Sequence, residues 1–139
     1  MTTIIVCGGR WYGRVPLDCD QAERRAHSTR AAKQAFFLRE TLDHLRQDRD
    51  VRKVITGGAP GADTIAHYWA TRKGVASIVM RAEWKKFGRN AGPIRNKRML
   101  DEGKPDLVIA FFGGDGTANM IQQTRFAGVE VMDYRERCP

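Results

Sequence analysis

The sequence is short of several things, and each shortage argues against a class of protein. Cys7, Cys19 and Cys138 are the three cysteines in 139 residues. They are odd in number and lack metal-ligand spacing, which argues against a disulfide scaffold or a zinc site. No apolar run approaches the roughly 20 residues that a membrane-spanning helix needs. The opening stretch, Met1-Thr2-Thr3-Ile4-Ile5-Val6, has neither the basic region nor the cleavage pattern of a secretory signal. No glycine loop ends in Gly-Lys-Ser/Thr, so an ordinary Walker A ATPase is disfavoured. Acidic residues are outnumbered, 16 against 24 Lys and Arg, leaving a net charge of +8. What is present is a globular composition, 42% hydrophobic and 29% charged, at a length suited to one domain. The expectation is a cytoplasmic single domain over residues 1–139, with no metal, no cofactor and no membrane partner.

Short apolar runs alternate with longer helical patterns. Ile4–Cys7, Val54–Thr56, Ser77–Met80, Leu107–Phe111 and Val129–Met132 read as five strands. Most are continuously apolar rather than alternating, as in a parallel sheet covered on both faces. Ala31, Ala35, Leu38, Leu42 and Leu45 recur at spacings of three and four, which predicts a helix over about residues 30–48. Further helices are predicted over about 63–73, ending at Gly74, over about Pro93–Glu102, and over about Thr117–Ala127. The alternation implies a three-layer α/β domain with right-handed crossovers. Trp11–Thr29 fits poorly and reads as an irregular insertion; Asp18–His27 is either an extra helix or a mobile loop.

Ligands of open α/β sheets bind beyond the carboxyl ends of the strands, where strand order reverses. Three predicted strands end there in glycine pairs: Gly8-Gly9-Arg10, Gly57-Gly58-Ala59 and Gly113-Gly114-Asp115-Gly116-Thr117. Glycine lets backbone N–H groups approach an anion closely, and two of these loops lead into helices whose N-termini favour phosphate. The stretch Gly114–Asn119 lacks the third glycine of a dinucleotide fingerprint and follows the fourth strand, so an ordinary dehydrogenase is also disfavoured. Residues 81–104 hold eight basic residues against three acidic ones, a local excess that points to a small phosphorylated ligand. Within them, Arg95 and Met99 share a helix face, so Met99 is expected to pack inward and Arg95 to grip phosphate. Trp84 and Phe87 are candidates for stacking on a base, or for core plugs. Asp63 reads as the N-cap of its helix, and Glu83 and Asp115 as candidate catalytic acids.

These stretches resemble the SLOG superfamily, specifically its YspA-like (cpYpsA-related) branch. The resemblance rests on Gly8-Gly9-Arg10, Thr56-Gly57-Gly58-Ala59-x-Gly61-Ala62-Asp63, Ala82-Glu83-Trp84, Gly88-Arg89-x-Ala91-Gly92-Pro93-Ile94-Arg95-Asn96-x-x-Met99, and Gly113-Gly114-x-Gly116-Thr117 with Met120 following. It implies a Rossmann-like fold with a five-stranded parallel sheet ordered 3-2-1-4-5. It also implies a ligand site drawn from Gly8, Gly9, Arg10, Gly57, Gly58, Ala59, Asp63, Glu83, Trp84, Arg89, Arg95, Asn96, Gly113, Gly114, Gly116 and Thr117. The implied role is sensing or processing a nucleotide-derived molecule such as ADP-ribose or an NAD-like signal. The more distant LOG-type phosphoribohydrolases carry Arg-Lys before a Met, then Pro-Gly-Gly-x-Gly-Thr-x-x-Glu. Here Asn96, Phe112 and Met120 replace the Lys, Pro and Glu, and a thioether can neither activate water nor protonate a leaving base.

Three readings follow. The first is a module that binds a nucleotide-derived small molecule. The second is a hydrolase of an N-glycosidic or phosphoester bond, using Glu83 or Asp115. The third, ranked last, is a single-stranded nucleic-acid binder, because a SLOG-fold relative handles such DNA in bacterial transformation. Related SLOG proteins commonly dimerise by helix packing, so a homodimer is expected, with Phe36-Phe37 and Tyr68 as candidates for its patch.

Overall fold

Strands that are apolar throughout must be covered on both sides, and the fold covers them. The computed structural model describes residues 1–139. β1 (Thr2–Cys7), β2 (Val51–Thr56), β3 (Ala76–Val79), β4 (Leu107–Phe111) and β5 (Glu130–Tyr134) form one parallel sheet. Its order is β3-β2-β1-β4-β5, the Rossmann-like order expected. All five residues of β4 are buried. Successive residues of β1 point to opposite layers. Ile4 and Val6 pack with Leu38, Leu42 and Trp69, while Ile5 packs with Ile55, Met99, Leu100 and Met120.

The covering helices are α1 (Gln21–Arg49), α2 (Ala62–Lys73), α3 (Trp84–Phe87), α4 (Ala91–Gly103) and α5 (Asp115–Phe126), with one 3-10 turn at Gly88–Asn90. The strand order reverses between β1 and β4, and the carboxyl ends of these two strands open the crevice described below.

The expected insertion at 11–29 is shorter than the sequence implied. Helix α1 is a single element of 29 residues, so residues 21–29 are helical and only 11–20 are irregular. The helix starts where it does because of a capping box. Asp20 Oδ1 accepts from Glu23 N–H at 2.8 Å, and Glu23 Oε2 accepts from Asp20 N–H at 3.2 Å. The apolar stripe stops at Ala31, which is why periodicity placed the start near residue 30. Residues 11–20 are tied down from the helix. Gln34 Oε1 accepts from Gly13 N–H at 2.8 Å, and Arg30 donates to Trp11 O and Arg14 O. Gln34, rather than the expected Ala35, is the buried member of the stripe. The other predicted elements differ from expectation by their ends, the largest shift being β2, which begins at Val51 rather than Val54, while α3 and the 3-10 turn are additional to the predicted elements.

Candidate functional site

The three glycine loops lie against one another, and Gly8, Gly9 and Gly113 are required by that packing. Gly9 N–H donates to Phe112 O at 2.8 Å, and Ala62 N–H donates to Gly9 O at 3.3 Å, so the β1 loop is clamped between the other two. A Cβ on Gly8 would stand 2.6 Å from Ala62 Cβ, and one on Gly113 would meet the Thr117 hydroxyl and the backbone of Gly8 and Gly9. Gly57 has a different neighbour: its Cβ would lie 2.6 Å from the guanidinium carbon of Arg95. Gly114 and Gly116, by contrast, have nothing within 4 Å of a Cβ position. They are the glycines that face open space.

Asp63 is not an N-cap. Gly61 holds that position in α2, without a side-chain cap. The Asp63 carboxylate turns back instead, its Oδ2 accepting from Gly57 N–H at 3.1 Å and Ala59 N–H at 3.2 Å. Burial pushes its pKa up to about 6, against the pull of those N–H groups and of Arg95. Arg95 lies over the same Gly57 peptide. Its hydrogen bonds go to neutral oxygens: Gly57 O at 2.9 Å, Met80 O at 3.3 Å and Asn96 Oδ1 at 3.1 Å. Burial lowers its pKa from the ordinary arginine value, and the Asp63 charge opposes that. Its Nη2 has no protein partner, so the guanidinium is held in place with one edge unused. Asn96 is fully committed: Nδ2 donates to Gly116 O and Asn119 Oδ1 while Oδ1 accepts from Arg95. It fastens α4 to α5 and sets the angle of Arg95.

These groups line a crevice of about 360 Å³ at the carboxyl edge of the sheet. The structure brings Gly8, Gly9, Arg10, Gly57, Ala59, Asp63, Trp84, Arg95, Asn96, Gly114, Asp115, Gly116 and Thr117 to its walls. Gly58 and Gly113 stand behind the walls, in the loops. Glu83 and Arg89 are exposed and do not line it, so of the two candidate acids only Asp115 reaches the crevice. The floor is apolar, from Val6, Cys7, Met99 and Met120. The Cys7 thiol is pushed strongly up by burial and by the Asp63 charge, which keeps it neutral and non-nucleophilic. Cys7 and Gly92 line the crevice but were not among the expected ligand residues; Gly92 lies within the Gly88–Met99 motif, and the alternation of β1 could have found Cys7, since it follows Ile5 on the same sheet face. Trp84 is half exposed and leans over Gly92, whose Cβ position is 3.4 Å from the Trp84 ring. Phe87 is half-buried and does not line the crevice.

The charge excess of residues 81–104 does not gather here. Only Arg95 of its eight basic residues lines the crevice. The other seven are exposed, and two are paired along α4: Lys97 with Asp101 at 2.7 Å and Arg98 with Glu102 at 2.8 Å. The crevice itself balances Arg10 and Arg95 against Asp63 and Asp115. Its attraction for an anion therefore comes from aimed donors rather than from bulk charge. The chief donors are at the start of α5. Gly114 is its N-cap, no side chain caps it, and its first intrahelical bond is Ala118 N–H to Gly114 O. The N–H groups of Asp115, Gly116 and Thr117 are thus left for another acceptor.

A family model described as the YspA, cpYpsA-related SLOG family matches residues 2–87. The Gene 61 protein of Mycobacterium phage D29 is 35% identical over 91 residues, covering 60% of this chain and 72% of that protein. Among solved structures, the structural genomics target TM1055 superimposes with a TM-score of 0.65 at 15% identity, over 94% of this chain and 72% of that one. DNA processing protein A (DprA) from Streptococcus pneumoniae gives a TM-score of 0.65 at 16% identity. That match covers 96% of this chain and 50% of the DprA chain. At such identities the two structures speak for the fold.

Proposed function

Since the chain belongs to the YspA, cpYpsA-related SLOG family, we infer that it binds a phosphorylated, nucleotide-derived small molecule, of the size and chemistry of ADP-ribose or an NAD-like signal. The observation that carries this reading is the uncapped start of α5. Three free N–H groups, two unobstructed glycines and the unpartnered Thr117 hydroxyl face a crevice. The Arg95 guanidinium, with its free edge, and Arg10 line the same crevice. Phosphate oxygens suit this donor set, and bidentate contact with Arg suits phosphate geometry. At about 360 Å³ the crevice is near the small end of ligand pockets. It would hold a mononucleotide unit, with any remainder of a larger ligand leaving past Trp84.

Calorimetry against ADP-ribose, NAD, AMP and cyclic dinucleotides tests the reading. Binding of at least one at submillimolar concentration is expected, and silence toward all of them at millimolar ligand would sink it. Chromatography of the same mixtures tests processing. Because Glu83 faces solvent, Glu83→Gln is expected to leave any base release unchanged. The DNA in the name of DprA makes single-stranded DNA the control. A phosphate polymer bound through many contacts loses affinity steeply between about 50 and 200 mM salt, whereas a ligand with one or two phosphates loses little. The expected salt dependence is the shallow one.

A further inference from the structure

The crevice is furnished mostly with donors: the α5 N–H groups, Arg10 and the free edge of Arg95. Asp63 is the exception, and half of its carboxyl is unemployed. Oδ2 holds the β2 loop through Gly57 and Ala59. Oδ1 has no protein partner. Nor is it sealed away, because the two polar side-chain atoms that are sealed without partners are Tyr12 Oη and Thr56 Oγ1. Asp63 as a whole is 6% exposed and lines the crevice. Its free oxygen is therefore an acceptor opening into the same space as the donors.

We propose that Asp63 Oδ1 accepts a hydrogen bond from a ribose hydroxyl of the ligand, making the crevice selective for ribonucleotides over their deoxy counterparts. The inference rests on the nucleotide reading above and deepens it. A ligand that satisfies both kinds of group within this one crevice carries an anionic oxygen and a hydroxyl donor, as a ribose phosphate does. The loop does not need a carboxylate for its own sake. The single amide oxygen of an asparagine would accept from Gly57 and Ala59 equally well, without a charge that burial disfavours. Arg95 and Arg10 offset that charge only from a distance, since neither forms an ion pair with it and Arg95 spends its hydrogen bonds on neutral oxygens. An acid retained under those conditions has work to do on its other oxygen. A buried acceptor that loses its donor is left unsatisfied, and this is the basis of discrimination against an analogue lacking the hydroxyl.

The experiment compares AMP, 2′-deoxy-AMP and 3′-deoxy-AMP by calorimetry on the wild-type chain and on Asp63→Asn, with inorganic phosphate as a probe of the α5 end alone. In Asp63→Asn an NH2 group replaces the accepting oxygen while the loop bonds are kept. For the wild type, at least one deoxy analogue is expected to bind about tenfold or more weakly than AMP. In Asp63→Asn that ratio is expected to fall toward one, while inorganic phosphate binds no more weakly than to the wild type. Equal wild-type affinity for all three nucleotides overturns the proposal and leaves the nucleotide reading standing. So does a ratio that survives in Asp63→Asn. Failure of the wild type to bind any nucleotide or phosphate overturns both.

Discussion

At the scale of single residues, the site is built around the Gly57 peptide. Its N–H is held by Asp63 and its C=O by Arg95, so one backbone unit fixes an acid and a base side by side. Two expectations follow. Gly57→Ala would thrust a methyl into the guanidinium, with an expected destabilisation of about 1–3 kcal/mol, the usual range for overpacking. Urea denaturation measures it. Asp63→Asn should do the opposite at neutral pH. The folded pKa of about 6 lies above the ordinary 3.8, so neutral Asp63 is favoured by folding. That contribution is fully present below pH 3.8 and lost as pH rises through 6. The charged groups facing it are Arg95 and Arg10, with neutral Cys7 beside them. Relative to wild type, Asp63→Asn should gain stability between about pH 4 and 7, by about 3 kcal/mol at most. Denaturation midpoints across that range check the sign, and a flat difference would contradict it.

At the scale of elements, α5 carries opposing demands. Asp115 is in its first turn, where a carboxylate favours the helix by roughly 0.3–1 kcal/mol but repels a bound phosphate. Asp115→Asn is therefore expected to bind AMP a few-fold more tightly while melting slightly earlier, two readings from calorimetry and thermal unfolding that move apart. Helix α4 shows why a local charge excess in the sequence did not become a local field. Its inward face is Gly92, Asn96, Met99 and Leu100, with Arg95 at the crevice edge, and its outward lysine and arginine meet acids one turn on. Helix α1 shows the converse case. Its first nine residues have no apolar stripe, yet a capping box at Asp20 and Glu23 starts the helix there. The sequence carried that signal in Asp-x-x-Glu, and attention to periodicity alone passes over it.

At the scale of the molecule, no helix is long and apolar enough to cross a membrane. The net +8 is spread over the surface rather than focused in the crevice. The expected homodimer finds part of its patch outward: Phe36 and Tyr68 are 62% and 57% exposed on α1 and α2. Phe37, by contrast, packs against Phe111 and Tyr134 in the core. Light scattering is expected to give the mass of two chains, and Phe36→Glu combined with Tyr68→Glu that of one.

By itself the sequence determined the fold. Continuous apolar strands, helix stripes and glycine punctuation are local or periodic, and they were enough for a parallel sheet covered on both faces; its order 3-2-1-4-5 was implied by the resemblance of the motifs to a family, and the sheet has that order. It also brought the right loops to one edge, because each follows a strand. The tertiary structure alone decided what each loop residue does. It assigned Gly57 to Arg95, Gly8 and Gly113 to loop packing, and left Gly114 and Gly116 open. It turned Asp63 from a cap into a crevice acid, placed Glu83 in solvent and kept the basic run of residues 81–104 largely out of the site. The physical reason is that these assignments depend on contacts between segments far apart in the chain, and on which side of a helix a charge falls once that helix is docked.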